Sequence, residues 1–129
     1  MTVVLDASAT VELLLRTARG DRVQPHLVGQ DLVAPELLDA ECLSAIARLE
    51  RADQVTPAEA DAAVHALSRM PVLRVSHLAL AQGAWTHRHQ VRVADGFYVA
   101  CARLLDAPLL TCDARLAAAP LDVALLLVR

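Results

Sequence analysis

The sequence predicts a single α/β domain: a central, mostly parallel β-sheet flanked by helices on both faces. Two observations carry that reading. Its apolar runs (TVVL, LVA, VLRV, LLTC, VALLLV) are nearly continuous instead of alternating with polar residues, the pattern of strands buried on both faces. They alternate along the chain with amphipathic stretches long enough to be crossover helices, and no repeat, linker or low-complexity segment interrupts the 129 residues.

In chain order, Thr2 to Leu5 reads as a short buried strand, followed by a helix over Ala7 to Arg16. A second helical piece around Arg22 to Val28 leads to a strand at Leu32 to Ala34. Pro35 suits the first turn of a long helix reaching Arg51, where its missing N–H costs nothing. Thr56-Pro57-Ala58-Glu59 is a capping-box pattern with proline at the first helical position; it opens a helix ending near Met70, before Pro71. Val72 to Val75 is a strand and Leu78 to His89 a helix. Another helix starts near Asp95 and ends before Pro108, and Leu109 to Cys112 and Val123 to Val128 are the last strands.

Composition narrows the function classes. Hydrophobic residues make up 56% and aromatics 2%, so the core is built from Leu, Val and Ala around only Trp85, Phe97 and Tyr98. No apolar run reaches the ~20 residues of a membrane span, and no basic residue precedes Asp6 as in a secretory signal. The expectation is a cytoplasmic protein without membrane contact. Cys42, Cys101 and Cys112 are odd in number, lack CxxC spacing and lie in apolar stretches, as reduced core thiols do. All twelve basic residues are arginine, so any chemistry needing a lysine is excluded. The net charge of −3 speaks against gripping nucleic acid by bulk positive charge, yet permits an acidic centre rimmed by local arginines.

Four acidic residues stand out because each is embedded in apolar sequence: Asp6 in VVLDAS, Glu41 in LLDAECLSAIARLE, Asp95 in VRVADGF and Asp113 in LLTCDARL. Asp6, Asp95 and Asp113 each also suit a helix N-cap. Glu41, mid-helix, cannot be a cap. At 100° per residue Leu38, Cys42, Ala45 and Leu49 form the apolar stripe, with Glu41 on its edge; Glu36 and Asp39 face the other way, towards water. Asp6 and Asp113 follow strands directly and so sit at the carboxyl edge of the sheet, where open α/β sheets bind ligands.

A shared pocket is the economical reading. Two carboxylates ~5 Å apart at an effective dielectric near 20 repel by roughly 3 kcal/mol, which a hard divalent cation offsets. Mg²⁺ or Mn²⁺ on oxygen ligands, with positions left for a phosphate oxygen and a water, suits phosphodiester hydrolysis. The hydroxyls of Ser8 and Thr111 are candidates to hold the ligand carboxylates, or equally turn and capping hydroxyls.

The segments VVLDASA, LLDAECLSAIARL, RHQVRVADGFYVACA and APLLTCDARLA resemble the acidic motifs of PIN-domain ribonucleases, in particular the VapC toxins of type II toxin–antitoxin pairs. The resemblance spans nearly the whole chain, with the four motifs in the family's order. It implies a PIN-like domain over residues 1–129 acting as a Mg²⁺- or Mn²⁺-dependent endoribonuclease. Asp6, Glu41, Asp95 and Asp113 would be its metal-binding and catalytic residues. It further implies a homodimer, held inactive by a cognate VapB-like antitoxin whose C-terminal segment fills the groove. The implied targets are structured RNAs, tRNA or rRNA, cut in exposed loops. Two departures stand in the motifs. Gly96 follows the third acid where many members have alanine, and Arg115 and Leu116 stand where some carry a further acid.

Arg88, Arg92 and Arg115 flank the third and fourth acids and are candidate contacts to RNA phosphates, although each also reads as a solvated surface charge. His87 and His89 lack the partners of a zinc site. With three aromatics for stacking, target choice should rest on RNA shape. Other readings stay open: a phosphoacceptor receiver domain, which would need the missing lysine; a PIN-like domain that binds RNA or a partner without cutting it; and a PIN nuclease of RNA maturation that has no antitoxin.

Overall fold

The computed structural model describes residues 1–129. Five strands form one sheet: β1 (Thr2–Leu5), β2 (Asp31–Pro35), β3 (Val72–Val75), β4 (Leu109–Thr111) and β5 (Leu125–Leu127). Their order is β3-β2-β1-β4-β5 and every neighbouring pair is parallel, with Val4 beside both Val33 and Leu109. The helices are α1 (Ala7–Leu14), α2 (Ala18–Val23), α3 (Leu37–Arg51), α4 (Pro57–Arg69), α5 (His77–Thr86), α6 (Val93–Leu105) and α7 (Ala114–Ala118). None is long and apolar enough to cross a membrane.

The strand order places the site. From β1 the chain moves outward through β2 to β3, then returns across the sheet to β4 on the other side of β1. Parallel crossovers are right-handed, so this reversal puts the two halves' helices on opposite faces. The contacts agree: α1 packs on α2, α3 and α4, whereas α5 packs on α6, and α6 lies against β1 and β2. Chains leaving β1 and β4 therefore diverge, and a crevice opens at their carboxyl ends. Val4, Leu5, Leu109 and Leu110, all fully buried, form the apolar floor beneath it.

Several boundaries differ from expectation for identifiable reasons. Pro35 ends β2 instead of opening α3, which starts at Leu37. It pairs in register with Val75, and the next N–H, from Glu36, carries the bond to Val75 O at 2.9 Å. Helix α1 stops at Leu14 because Arg16 takes a left-handed conformation (φ 55°). Helix α2 then begins at Ala18, capped by Thr17, well before Arg22, and only a 3₁₀ turn (Gln24–His26) follows. An interior glycine masks that helix in the sequence. Gly20 is there for space: a Cβ would sit 2.3 Å from Glu12 O in α1. Helix α6 starts at Val93, two residues early, and the last strand is shorter than Val123 to Val128. Asp39 is not simply solvated; it forms a bidentate ion pair with Arg74 (2.8 and 3.2 Å). The capping box of α4 is present, Glu59 N–H bonding Thr56 Oγ1 and Thr56 N–H bonding Glu59.

Gly96 has a packing reason as well. A Cβ there would lie 2.8 Å from the backbone oxygen of Ala84, so glycine lets α6 approach α5 more closely than alanine could. Gly96→Ala is expected to cost about 1–3 kcal/mol through overpacking, despite its better helix propensity. Urea unfolding checks this; a stability gain would show that α5 yields freely.

Candidate active site

Asp6 is built into the β1–α1 junction. It caps α1, its Oδ1 accepting the Ala9 N–H (2.9 Å) and the Ser8 hydroxyl (2.8 Å). Its Oδ2 accepts the hydroxyl of Thr111, at the end of β4. Ser8 Oγ in turn accepts the Cys112 N–H (3.0 Å), and Thr111 Oγ1 accepts the Asp113 N–H (2.9 Å). Two hydroxyls thus tie the ends of the two diverging strands to one carboxylate. Asp6 is 5% exposed. Burial raises its pKa from 3.8 to about 6 against the opposing effect of those hydrogen bonds, and the nearby charge of Asp95 adds to the rise.

The other three acids reach the same place from separate elements. Helix α6 leads through Asp106–Pro108 straight into β4, so it runs antiparallel to the strands and opens over their carboxyl edge. Asp95 lies in its first turn; Arg92, not Asp95, is the N-cap residue, so the capping alternative falls away for this acid. Asp113 does cap α7, accepting the Arg115 N–H at 2.9 Å. Glu41 sits on α3 beside buried Leu38 and Cys42, its Oε1 accepting the Tyr98 hydroxyl at 2.8 Å. Asp6, Glu41, Asp95 and Asp113 all line one cleft of about 530 Å³, together with Ser8. Thr111 lies fully buried behind it.

The cleft is oxygen-rich but not collapsed. No three acidic, histidine or cysteine side chains converge closely enough to form a metal-holding group. Each acid is instead held apart by a donor of its own: Arg92 bonds Asp95 (3.1 and 3.4 Å), Tyr98 bonds Glu41, and Arg115 lies 3.7 Å from Asp113. The Arg92 guanidinium is held above its usual pKa, first by its bond to Asp95 and then by that charge, with Glu41 and Asp113 adding to it. Cys112 shares the lining, but burial pushes its thiol up to about 11, so it stays protonated.

Of the three arginines proposed from sequence, Arg92 and Arg115 line the cleft or its 170 Å³ extension. Arg88 lines neither; it stacks over the Trp85 ring, 4.4 Å from its centroid. Sequence reasoning missed Arg19, Arg48, Glu12 and Tyr98, which all line the cleft. Tyr98 and Arg48 were findable, lying one turn from Asp95 and two turns from Glu41 on the same helix faces. Arg19 was hidden with the start of α2.

The PIN domain profile matches residues 3–121. Ribonuclease VapC3 of Mycobacterium tuberculosis is 44% identical over 91% of this chain and 86% of its own length. Ribonuclease VapC12 of the same organism is 40% identical over 89% of each. Among solved structures, M. tuberculosis VapC20, described as a sarcin–ricin loop cleaving toxin, superposes with a TM-score of 0.67 at 16% identity, covering 91% of this chain and 94% of that one. VapBC2 from Rickettsia felis, bound to a promoter DNA fragment, gives 0.68 at 11% identity over all of both chains. At these identities the superpositions speak to fold alone.

The buried Asp6 charge has a consequence for stability. Its folded pKa is raised, so the native state keeps a proton that the unfolded chain gives up, and stability falls as pH rises from about 4 to 6. The interval corresponds to about 3 kcal/mol. In chelating buffer, Asp6→Asn, which preserves an N-cap side chain, should be more stable than the parent at pH 7 and equal to it near pH 4. Thermal melts across this range test it; parallel pH profiles would mean that the charge is already compensated.

Proposed function

The chain belongs to the PIN-domain family, among its VapC-type members, and from that premise we propose that it is a metal-dependent endoribonuclease, the toxin of a toxin–antitoxin pair. One observation carries the reading: four carboxylates from four distant segments line one cleft at the point where β1 and β4 part.

The donors fit a hard divalent cation. They are oxygens, the one nearby thiol is protonated, and the desolvated Asp6 charge calls for a positive partner. Asp6, Glu41, Asp95 and Asp113 are the residues that would hold Mg²⁺ or Mn²⁺. When bound, the ion would neutralise them and supply Lewis-acid activation of a phosphodiester and a water. The chain's own part is positioning. Ser8 and Thr111 fix Asp6, Tyr98 fixes Glu41, and Arg92 and Arg115 stand where phosphates beside the scissile bond would lie.

The substrate class we infer is a structured RNA, tRNA or rRNA, opened in an exposed loop and recognised by shape; the relatives are named ribonucleases, and VapC20 is described as cleaving the sarcin–ricin loop. The setting is cytoplasmic and the active species a homodimer. The partner is a VapB-like antitoxin. Complexes of this fold with antitoxins, such as VapBC2, support that pairing. An apolar groove lined by Leu13, Leu14, Leu27, Val28 and Met70 offers a surface where an antitoxin segment could bury its own apolar side chains.

Asp95→Asn is expected to lower RNA cleavage more than about 100-fold, beyond the usual cost of losing an outer partner, while the fold persists. Chelation should abolish cleavage by the parent, and Mn²⁺ or Mg²⁺ restore it. Wild-type turnover in Asp95→Asn, or in chelator, sinks the proposal.

The Arg92–Asp95 pair is the one feature that also suits a non-cutting RNA- or partner-binding domain, because it occupies a carboxylate the ion needs. Its arginine is largely exposed and free to swing into water, so a divalent ion can displace it from Asp95. Arg92→Gln should therefore bind Mn²⁺ several-fold more tightly by calorimetry. No Mn²⁺ binding by either protein would favour the non-cutting reading.

A further inference from the structure

The cleft and its extension are one groove, since both are lined by Arg92, Asp95 and Asp113. Arg115 belongs to one end alone, Arg19 and Arg48 to the other. Asp95 and Asp113 lie where the two parts meet, with guanidinium groups lining both parts.

These guanidiniums are not equivalent. Arg92 is bonded to Asp95, Arg115 stands 3.7 Å from Asp113, and Arg19 stands 3.8 Å from Glu12. Arg48, exposed near the end of α3 and two turns beyond Glu41, has no carboxylate within ion-pair distance, and its side chain makes no hydrogen bond. In a cleft that holds Asp6, Glu12, Glu41, Asp95 and Asp113, it is the one cation left with its charge and all its donors free.

We propose that Arg48, with Arg19 as a second cation lining the same cleft, binds a backbone phosphate of the RNA on the α2–α3 side of the carboxylates, so that the strand crosses the acids between two cationic ends. This rests on the nuclease reading and adds to it a direction for the substrate: from Arg115 and Arg92, over the four acids, to Arg48 and Arg19. A polyanion laid on the four acids is repelled by them, so the flanking cations must supply the attraction. An unpaired guanidinium supplies it without first breaking an ion pair, and its planar fork matches two phosphate oxygens. Such a contact positions the strand without reading its sequence.

The competing role for Arg48 is to complement the dipole at the end of α3, a contribution to stability alone. Binding of a fluorescein-labelled stem-loop RNA, followed by anisotropy through a salt series in the cleavage-deficient Asp95→Asn background, separates the two. Arg48→Gln should weaken binding about tenfold at low salt and make the log–log salt dependence shallower by about one. Arg48→Lys should keep the slope and most of the affinity. Arg88→Gln, outside the groove, should change neither.

An unchanged affinity and slope in a folded Arg48→Gln overturns the proposal and leaves the nuclease reading intact. So does a change confined to the melting temperature, which would assign Arg48 to the helix end, or a loss of antitoxin binding alone, which would assign it to the partner. Failure of the unmodified chain to bind or cut RNA overturns both.

Discussion

A negative charge held almost out of water, where two parallel strands part, is the constraint around which this site is organised. Asp6 could not be left there by itself. Its carboxylate is met by a helix N-terminus, a neighbouring hydroxyl and a hydroxyl from another strand, and burial still outweighs them and lifts its pKa to about 6. The same bonds serve the fold. By joining Ser8 to the Cys112 N–H and Thr111 to the Asp113 N–H, they fix where the chain leaves β4 relative to where it leaves β1. Structural cap and candidate ligand are compatible descriptions of one carboxylate: Asp6 and Asp113 each cap a helix and still line the cleft.

Helix α6 supplies the rest of the frame. Its first turn brings Asp95 over the sheet edge, and one turn on, Tyr98 reaches across to Glu41 on the opposite helix layer. The phenol is buried, and the neighbouring acids hold its pKa above the usual value, burial being the largest cause; it stays a donor. Gly96, between the two, lets this helix sit close against α5. The residue that departs from the common family pattern is therefore explained by helix packing, not by the acids' chemistry.

Much of this was legible in the sequence, for physical reasons. Continuous apolar runs gave the parallel sheet, and apolar periodicity placed Glu41 at the border of core and solvent. What escaped depended on contacts between distant segments. Pro35 reads as a helix opener because helix starts tolerate proline, yet so does a strand's last position once the following N–H carries the ladder bond. Asp39 looks solvated until β3 brings Arg74 against it. Arg88 precedes Asp95 by seven residues, but its guanidinium stacks on the Trp85 ring. Arg19 joins the cleft only through the packing of α2, whose start the sequence hides, whereas Arg48 lies two turns from Glu41 on the same face of α3.

Charge distribution decides how an acidic protein can handle an acidic polymer. With a net charge of −3, the chain has no general attraction for RNA, and the cleft that RNA would enter is lined by five carboxylates. On the nuclease reading, attraction must therefore be local and placed at the groove's ends, and neutralisation of the middle would fall to a small cation able to reach where guanidinium groups do not. Arg92 illustrates the division. In the conformation described here it already neutralises Asp95 from outside, but a group tethered to the rim cannot serve Asp6, Glu41 and Asp113 at once. An ion that binds all four would leave that arginine free for phosphate, so the event that completes the acidic centre would also add a cation to the RNA track.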